Sequence, residues 1–236
     1  YSLEQHGFAR DMDFHLVSSD ENTLWYELKS DAETLAKYPY AFTLKIGYKL
    51  TGNKIQVMWE VSNNDGKTMY FQIGAHPAFY YPDFNPDTEE RGAFRLYKRG
   101  ENGEMKPLET LKYILISEKG CADTEHVYEL ETPEGTAIDD IHHDAFIIEN
   151  QQVSKVVLES CAGEPFVSVE FDSPALGMWS PAGLNAPFVC IEPWYGRCDR
   201  KGFTGPLEEK DLVNALAPGQ VFRTGYTIEV SEPHTS

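Results

Sequence analysis

No stretch of this 236-residue chain comes near the roughly 20 consecutive apolar residues that a membrane-spanning helix requires. The segment after Tyr1, SLEQHGFARDMDF, lacks the apolar centre of a secretory signal. Basic residues are scarce: 20 Lys and Arg stand against 38 Asp and Glu, and the formal charge of −18 opposes a phosphate backbone or an anionic membrane surface. Neither nucleic acid nor a membrane is an expected partner. Cysteine is sparse as well. Cys121, Cys161, Cys190 and Cys198 form no CxxC pair, and a chain this long needs no disulfide framework, so reduced thiols and a cytoplasmic setting are expected. Also missing are a GxSxG elbow, a Gly-rich phosphate loop and any sign that Ser180 or Cys190 is activated as a nucleophile. No repeat, low-complexity tract or linker divides the chain, so residues 1–236 read as a single domain with a frayed tail, SEPHTS.

What is present is alternation. In AFTLKIGYKLTGNKIQVMWEVSNNDGKTMYFQIGAH, segments 41–50, 54–62 and 68–75 are broken by Thr-Gly-Asn and Asn-Asp-Gly, which predicts a three-stranded antiparallel meander. Ile55, Val57, Trp59 and Val61 share one parity and Gln56 and Glu60 the other, the pattern of a half-buried strand. Further strands are expected at 94–98, 112–117, 126–130, 145–149, 154–160, 166–171, 187–192 and 221–230. One short helix is expected in SDAETLAKY, with Ser30 as cap, Glu33 completing a capping box and Pro39 as stop. No helical segment is long enough for a βαβ crossover. The fold class is therefore all-β, with mainly antiparallel sheets.

Four clusters carry candidate chemistry. In FQIGAHPAFYYPDF, His76 sits where the backbone is forced to turn, and is expected to face a pocket floored by Phe79, Tyr80 and Tyr81. His6, in QHGFAR, is likewise beside glycine. Either can equally be a loop histidine satisfied by a carbonyl. In PFVCIEPWYGRCD, Glu192 follows an apolar run and precedes Pro193 and Trp194, so it is either a desolvated general base or half of a buried ion pair with Arg197 or Arg10. In IHHDAFIIEN, His142 and His143 are neighbours on a strand and face opposite ways, which disfavours a shared metal ion. Asp144 can close a turn or accept from a ligand hydroxyl. A set of His, Glu, Asp and aromatic side chains suits a carbohydrate, which offers hydroxyls to bond and an apolar ring face to stack.

HGFAR, GAHPAFY, HDAFIIEN and PFVCIEPWYG, in that order, resemble the aldose 1-epimerase (galactose mutarotase) family, from Tyr1 to about Val230. The resemblance is nearest to its bacterial mutarotase-like branch, itself similar to the hexose-6-phosphate 1-epimerases. It implies a large antiparallel β-sandwich with a sugar groove, needing no metal or organic cofactor. It also implies roles: His76 as general acid, Glu192 as general base, His6 holding the sugar near its ring oxygen, and Asp144 binding sugar hydroxyls. Arg10 is a weaker candidate for substrate contact, and Trp194 and Trp179 are candidates for the apolar wall. Family members carry some tens of residues before the His motif, so the chain is expected to lack N-terminal strands. The expected activity is interconversion of the α and β anomers of an aldohexose. Alternatives are a hexose-6-phosphate epimerase, with Arg10, Arg197 and Arg200 as phosphate ligands, and a sugar-binding module without catalysis. A glycosidase using Glu192 with Asp144 fits the two histidines less well.

Overall fold

The computed structural model describes residues 3–88, 91–117, 120–132, 136–137 and 145–231. The chain forms two compact units: Tyr1–Phe71 with Ala215–Thr227, and Gln72–Asn214 with Ile228–Ser236.

In the first unit, β1 (His15–Ser19), β2 (Thr23–Lys29), β3 (Phe42–Thr51) and β4 (Lys54–Asn63) lie side by side, and β19 (Val221–Val230) pairs beyond β4. β3 and β4 close as a hairpin at Thr51↔Lys54, around the expected turn. The alternating pattern becomes one apolar face: Leu44, Ile46 and Tyr48 oppose Val61, Trp59 and Val57, and Leu28, Leu44, Val57, Trp59 and Val61 are buried. β1 and β2 were not expected from the sequence, although Leu24, Tyr26 and Leu28 carry the same alternation.

The third strand of the meander does not form. Segment 68–75 divides into β5 (Met69–Phe71) and β6 (Ile73–Gly74), and β5 pairs instead with β18 (Asn214–Leu216). The buried Asn63 explains the diversion. Its Nδ2 donates to Lys67 O (2.9 Å) and Leu216 O (2.7 Å), fixing the turn against β18 rather than back along β4. The helix α1 (Ala32–Lys37) is capped one residue later than expected. Asp31 accepts from Thr34 N and Thr34 Oγ1 accepts from Asp31 N, a reciprocal capping box, because the Ser30 hydroxyl is already taken by Phe42 N. Glu33 pairs with Lys37 instead (2.9 Å).

The second unit holds the remaining strands in two antiparallel sheets. One runs β15 (Pro165–Phe171), β14 (Lys155–Glu159), β8 (Ala93–Arg99) and β12 (Thr136–Ala137), with β9 (Met105–Pro107) on β8. The other runs β11 (Tyr128–Glu131), β10 (Thr110–Leu115), β13 (Ala145–Ile148), β16 (Ala175–Trp179), β17 (Phe188–Tyr195) and β6, with β7 (Ala78–Tyr80) also on β17. Phe94, Leu96, Val156, Leu158 and Val169 bury one face of the first; Phe146, Ile148, Leu176, Met178, Val189 and Ile191 bury one face of the second. All eight further strand expectations correspond to strands observed here or in β19, while β16 is not among the expected strands.

Candidate active site

β17 organises the site through its two-residue period. Val189 and Ile191 point into the core with no exposed surface, so Cys190, Glu192 and Trp194 share the opposite face. The register places Trp179, Gly177 and Ala175 of β16 beside them in that order, and Ala78 and Gly74 on the other flank. His76 lies between β6 and β7, at the place where the chain leaves one strand that pairs with β17 and enters another. The break that the His-Pro sequence predicted is thus what brings the imidazole to Glu192. His76 Nδ1 and Glu192 Oε1 are 3.4 Å apart, with the imidazole 42% exposed and the carboxylate 4%.

The second carboxylate oxygen is held by the indole. Trp194 Nε1 donates to Glu192 Oε2 at 3.2 Å. That indole can lie against the sheet only because two strands offer no side chain beneath it. A Cβ on Gly177 would stand 2.4 Å from Trp194 Cζ2, and one on Gly74 would stand 2.9 Å from Cδ1. Ile114, Ala122 and Ile147 form the buried cluster against which Trp194 packs. Trp194, a candidate for the apolar wall, is a hydrogen-bonded brace for the candidate base. Trp179 meets His76 edge to face, with centroids 6.0 Å apart at 80°, and continues to Phe188 at 6.0 Å.

The electrostatics follow from burial. Desolvation pushes the Glu192 carboxyl up from its ordinary 4.5 to about 8, against the opposing pull of the Trp194 hydrogen bond. Burial, and then the nearby Glu192 charge, push the Cys190 thiol up to about 12. The ion-pair alternative for Glu192 is not realised with Arg197. Arg197, with a side chain 3% exposed, donates from Nε to Glu149 (2.6 Å) and from Nη2 to Asp211 (2.7 Å), and Arg200 donates to Asp211 as well (2.6 Å). Arg10 pairs with Asp11 at 3.4 Å.

Other expectations divide. The floor of three consecutive aromatics does not form, because neighbours on an extended chain face opposite ways: Tyr81 is buried in the core and Tyr80 is 67% exposed. His6 and Arg10 belong to the first unit. There His6 adopts φ +68°, Phe8 packs on Tyr38 and Phe42, and burial followed by the Arg10 charge lowers the His6 pKa. His142, His143 and Asp144 lie outside the described residues. All four cysteines are free thiols. Sequence reasoning missed the two glycine seats and the nearness of Cys190, although the shared parity of Cys190 and Glu192 was readable.

The site thus joins a buried carboxylate, an adjoining imidazole and two tryptophans in one all-β unit. The aldose 1-epimerase family profile matches residues 1–202. The chain belongs to that family. It is 30% identical over 238 residues to Protein LacX of Lactococcus lactis subsp. lactis, in an alignment covering 97% of this chain and 75% of that protein. A galactose mutarotase related enzyme from Lactobacillus acidophilus superposes with a TM-score of 0.87 at 30% identity, over 100% of this chain and 77% of the other. A galactose mutarotase-like protein from Lactobacillus casei ATCC 334 gives 0.85 at 28% identity, over 98% and 77%. The fold is thus the galactose mutarotase-like β-sandwich, and the family is one of sugar epimerases. Among the described residues, no helix is long and apolar enough to cross a membrane.

Proposed function

We propose that the chain is an aldose 1-epimerase acting on the anomeric carbon of an aldohexose, with Glu192 as general base and His76 as general acid. The observation that carries this reading is the contact of the buried Glu192 carboxyl with the half-exposed His76 imidazole, beside Trp194 and Trp179. Glu192, held near neutrality by desolvation, takes the proton of the anomeric hydroxyl. The bond between C1 and the ring oxygen breaks, its electron pair goes to that oxygen, and the oxygen takes a proton from His76. The aldehyde rotates about C1–C2. Attack by the hydroxyl on the other face of the carbonyl, with both proton transfers reversed, gives the other anomer. Each placed transfer is worth about 10² to 10⁴ in rate, and the scheme as written uses no cofactor.

The sugar's flat apolar face would stack on Trp179 or Trp194. His6, Arg10 and Asp144 are assigned on family resemblance alone: His6 near the ring oxygen, Asp144 on sugar hydroxyls and Arg10 as a further contact. Commitment of Arg197 and Arg200 to acidic partners favours a free sugar over a hexose 6-phosphate, as does the net charge of −18. Polarimetry on freshly dissolved α-glucose and α-galactose tests the assignment. Acceleration that His76→Gln and Glu192→Gln each remove supports it, and acceleration unchanged in either variant refutes it. Preference for glucose 6-phosphate over glucose would move the assignment to the phosphosugar branch, and tight sugar binding without acceleration to a binding module.

A further inference from the structure

His76, Cys190 and Glu192 each offer one metal-ligating atom, and these atoms lie within 4.8 Å of one another. The grouping is imposed by the backbone. Cys190 and Glu192 share one face of β17, Cys190 pairs with Ala78 at the start of β7, and His76 stands two residues before that pairing. Cys190 has no part in the proton transfers proposed above. We propose that this nitrogen, sulfur and oxygen set binds a divalent cation of the zinc class, which occupies the reacting groups and blocks the epimerase.

The geometry is close to what such an ion requires. Zn–N and Zn–O bonds of about 2.0–2.1 Å at a tetrahedral angle put the two ligand atoms about 3.4 Å apart. The observed His76 Nδ1 to Glu192 Oε1 distance is 3.4 Å. A side-chain adjustment on the order of 1 Å brings the sulfur to its longer bond of about 2.3 Å. On binding, the Cys190 thiol releases its proton to solvent and coordinates as thiolate. The Trp194 bond to Oε2 orients the carboxylate and leaves Oε1 for the ion, the kind of supporting contact that metal ligands use. The half-exposed His76 side chain gives entry, and a water would complete the tetrahedral shell. Magnesium and calcium, which require six or more oxygens, do not fit this set.

The site itself stands on geometry, whereas the block rests on the proposed epimerase chemistry. The test titrates the full chain with Zn²⁺ alone, read by competition with a chromogenic chelator, and then with Co²⁺, read by the thiolate-to-cobalt absorbance band in the near ultraviolet. One equivalent of zinc should bind. Cys190→Ala and His76→Gln should each weaken it by at least about tenfold, and Cys121→Ala should leave it unchanged. Sugar turnover should fall as zinc fills the site and return with a chelator. Unchanged affinity in Cys190→Ala overturns the site, and so does a cobalt spectrum without the thiolate band, which needs no variant to fold. Site-specific zinc binding to a chain with no mutarotation would refute the epimerase assignment and leave the metal site standing. An active enzyme whose rate ignores bound zinc would refute the block alone.

Discussion

Replacing Glu192 by Gln should raise the stability of the folded chain at alkaline pH while slowing the proposed mutarotation. The carboxyl is 4% exposed, and its pKa is raised from 4.5 to about 8, chiefly by desolvation. A carboxyl with a raised folded-state pKa behaves oppositely to one in a salt bridge. Below about pH 4.5 both folded and unfolded chains hold the proton, and the group costs nothing. Between 4.5 and about 8 the unfolded chain loses it while the native chain keeps it, so stability falls as pH rises. Each pH unit in that window takes about 1.4 kcal/mol, and the full interval on the order of 5 kcal/mol as a ceiling. Gln keeps the shape and an oxygen for Trp194 Nε1 but cannot ionise. Its own pH-independent cost, an amide facing His76, cancels when the variant is compared with itself across pH. Urea denaturation of both proteins from pH 5 to 9 should show the difference growing in favour of Glu192→Gln and levelling above about pH 8. A difference that stays constant over that range would refute a carboxyl whose pKa is raised by desolvation.

Three further substitutions probe what supports the site. Gly177→Ala puts a methyl 2.4 Å from the Trp194 ring, so the indole must shift: about 1–3 kcal/mol of stability should be lost, with a changed tryptophan emission and slower turnover. Arg197→Met strands Glu149 and leaves Asp211 to Arg200 alone; because both acids keep some solvent, about 3 kcal/mol should be lost by denaturation, at the low end for a broken buried pair. Asn63→Ala removes the donor to Lys67 O and Leu216 O and should cost about 2–3 kcal/mol in the same assay.

The strands were legible wherever a period of two ran between turn residues, as in β3, β4, β8 and β19. They were illegible where the run was short. β16 is five residues between Pro174 and Pro181, and its sequence ALGMW has no polar alternation because all but Trp179 is buried. The meander's third strand failed for another reason. Local pattern records that a segment is extended, but its partner is chosen by side chains such as Asn63, whose hydrogen bonds reach Leu216 across most of the chain. At the site, the proline-bounded break at His76 and the apolar run ending in Glu192 were both visible in one dimension. Their meeting was not, nor were the glycine seats that set the indole, since Gly74 and Gly177 become neighbours of Trp194 only through sheet register.

The most direct test of Glu192 as the base is the pH dependence of kcat/KM for mutarotation of α-glucose or α-galactose by polarimetry, in the wild-type chain and Glu192→Gln. A base with its pKa near 8 predicts a limb that rises with pH, by up to about tenfold per unit, below that point, with the need for a proton on His76 turning the profile down at higher pH; the variant is slower by about 10² to 10⁴ and lacks the Glu192 limb. An inflection near 8 that persists in Glu192→Gln, or a variant as fast as the wild type, would contradict the assignment of this carboxylate as the base.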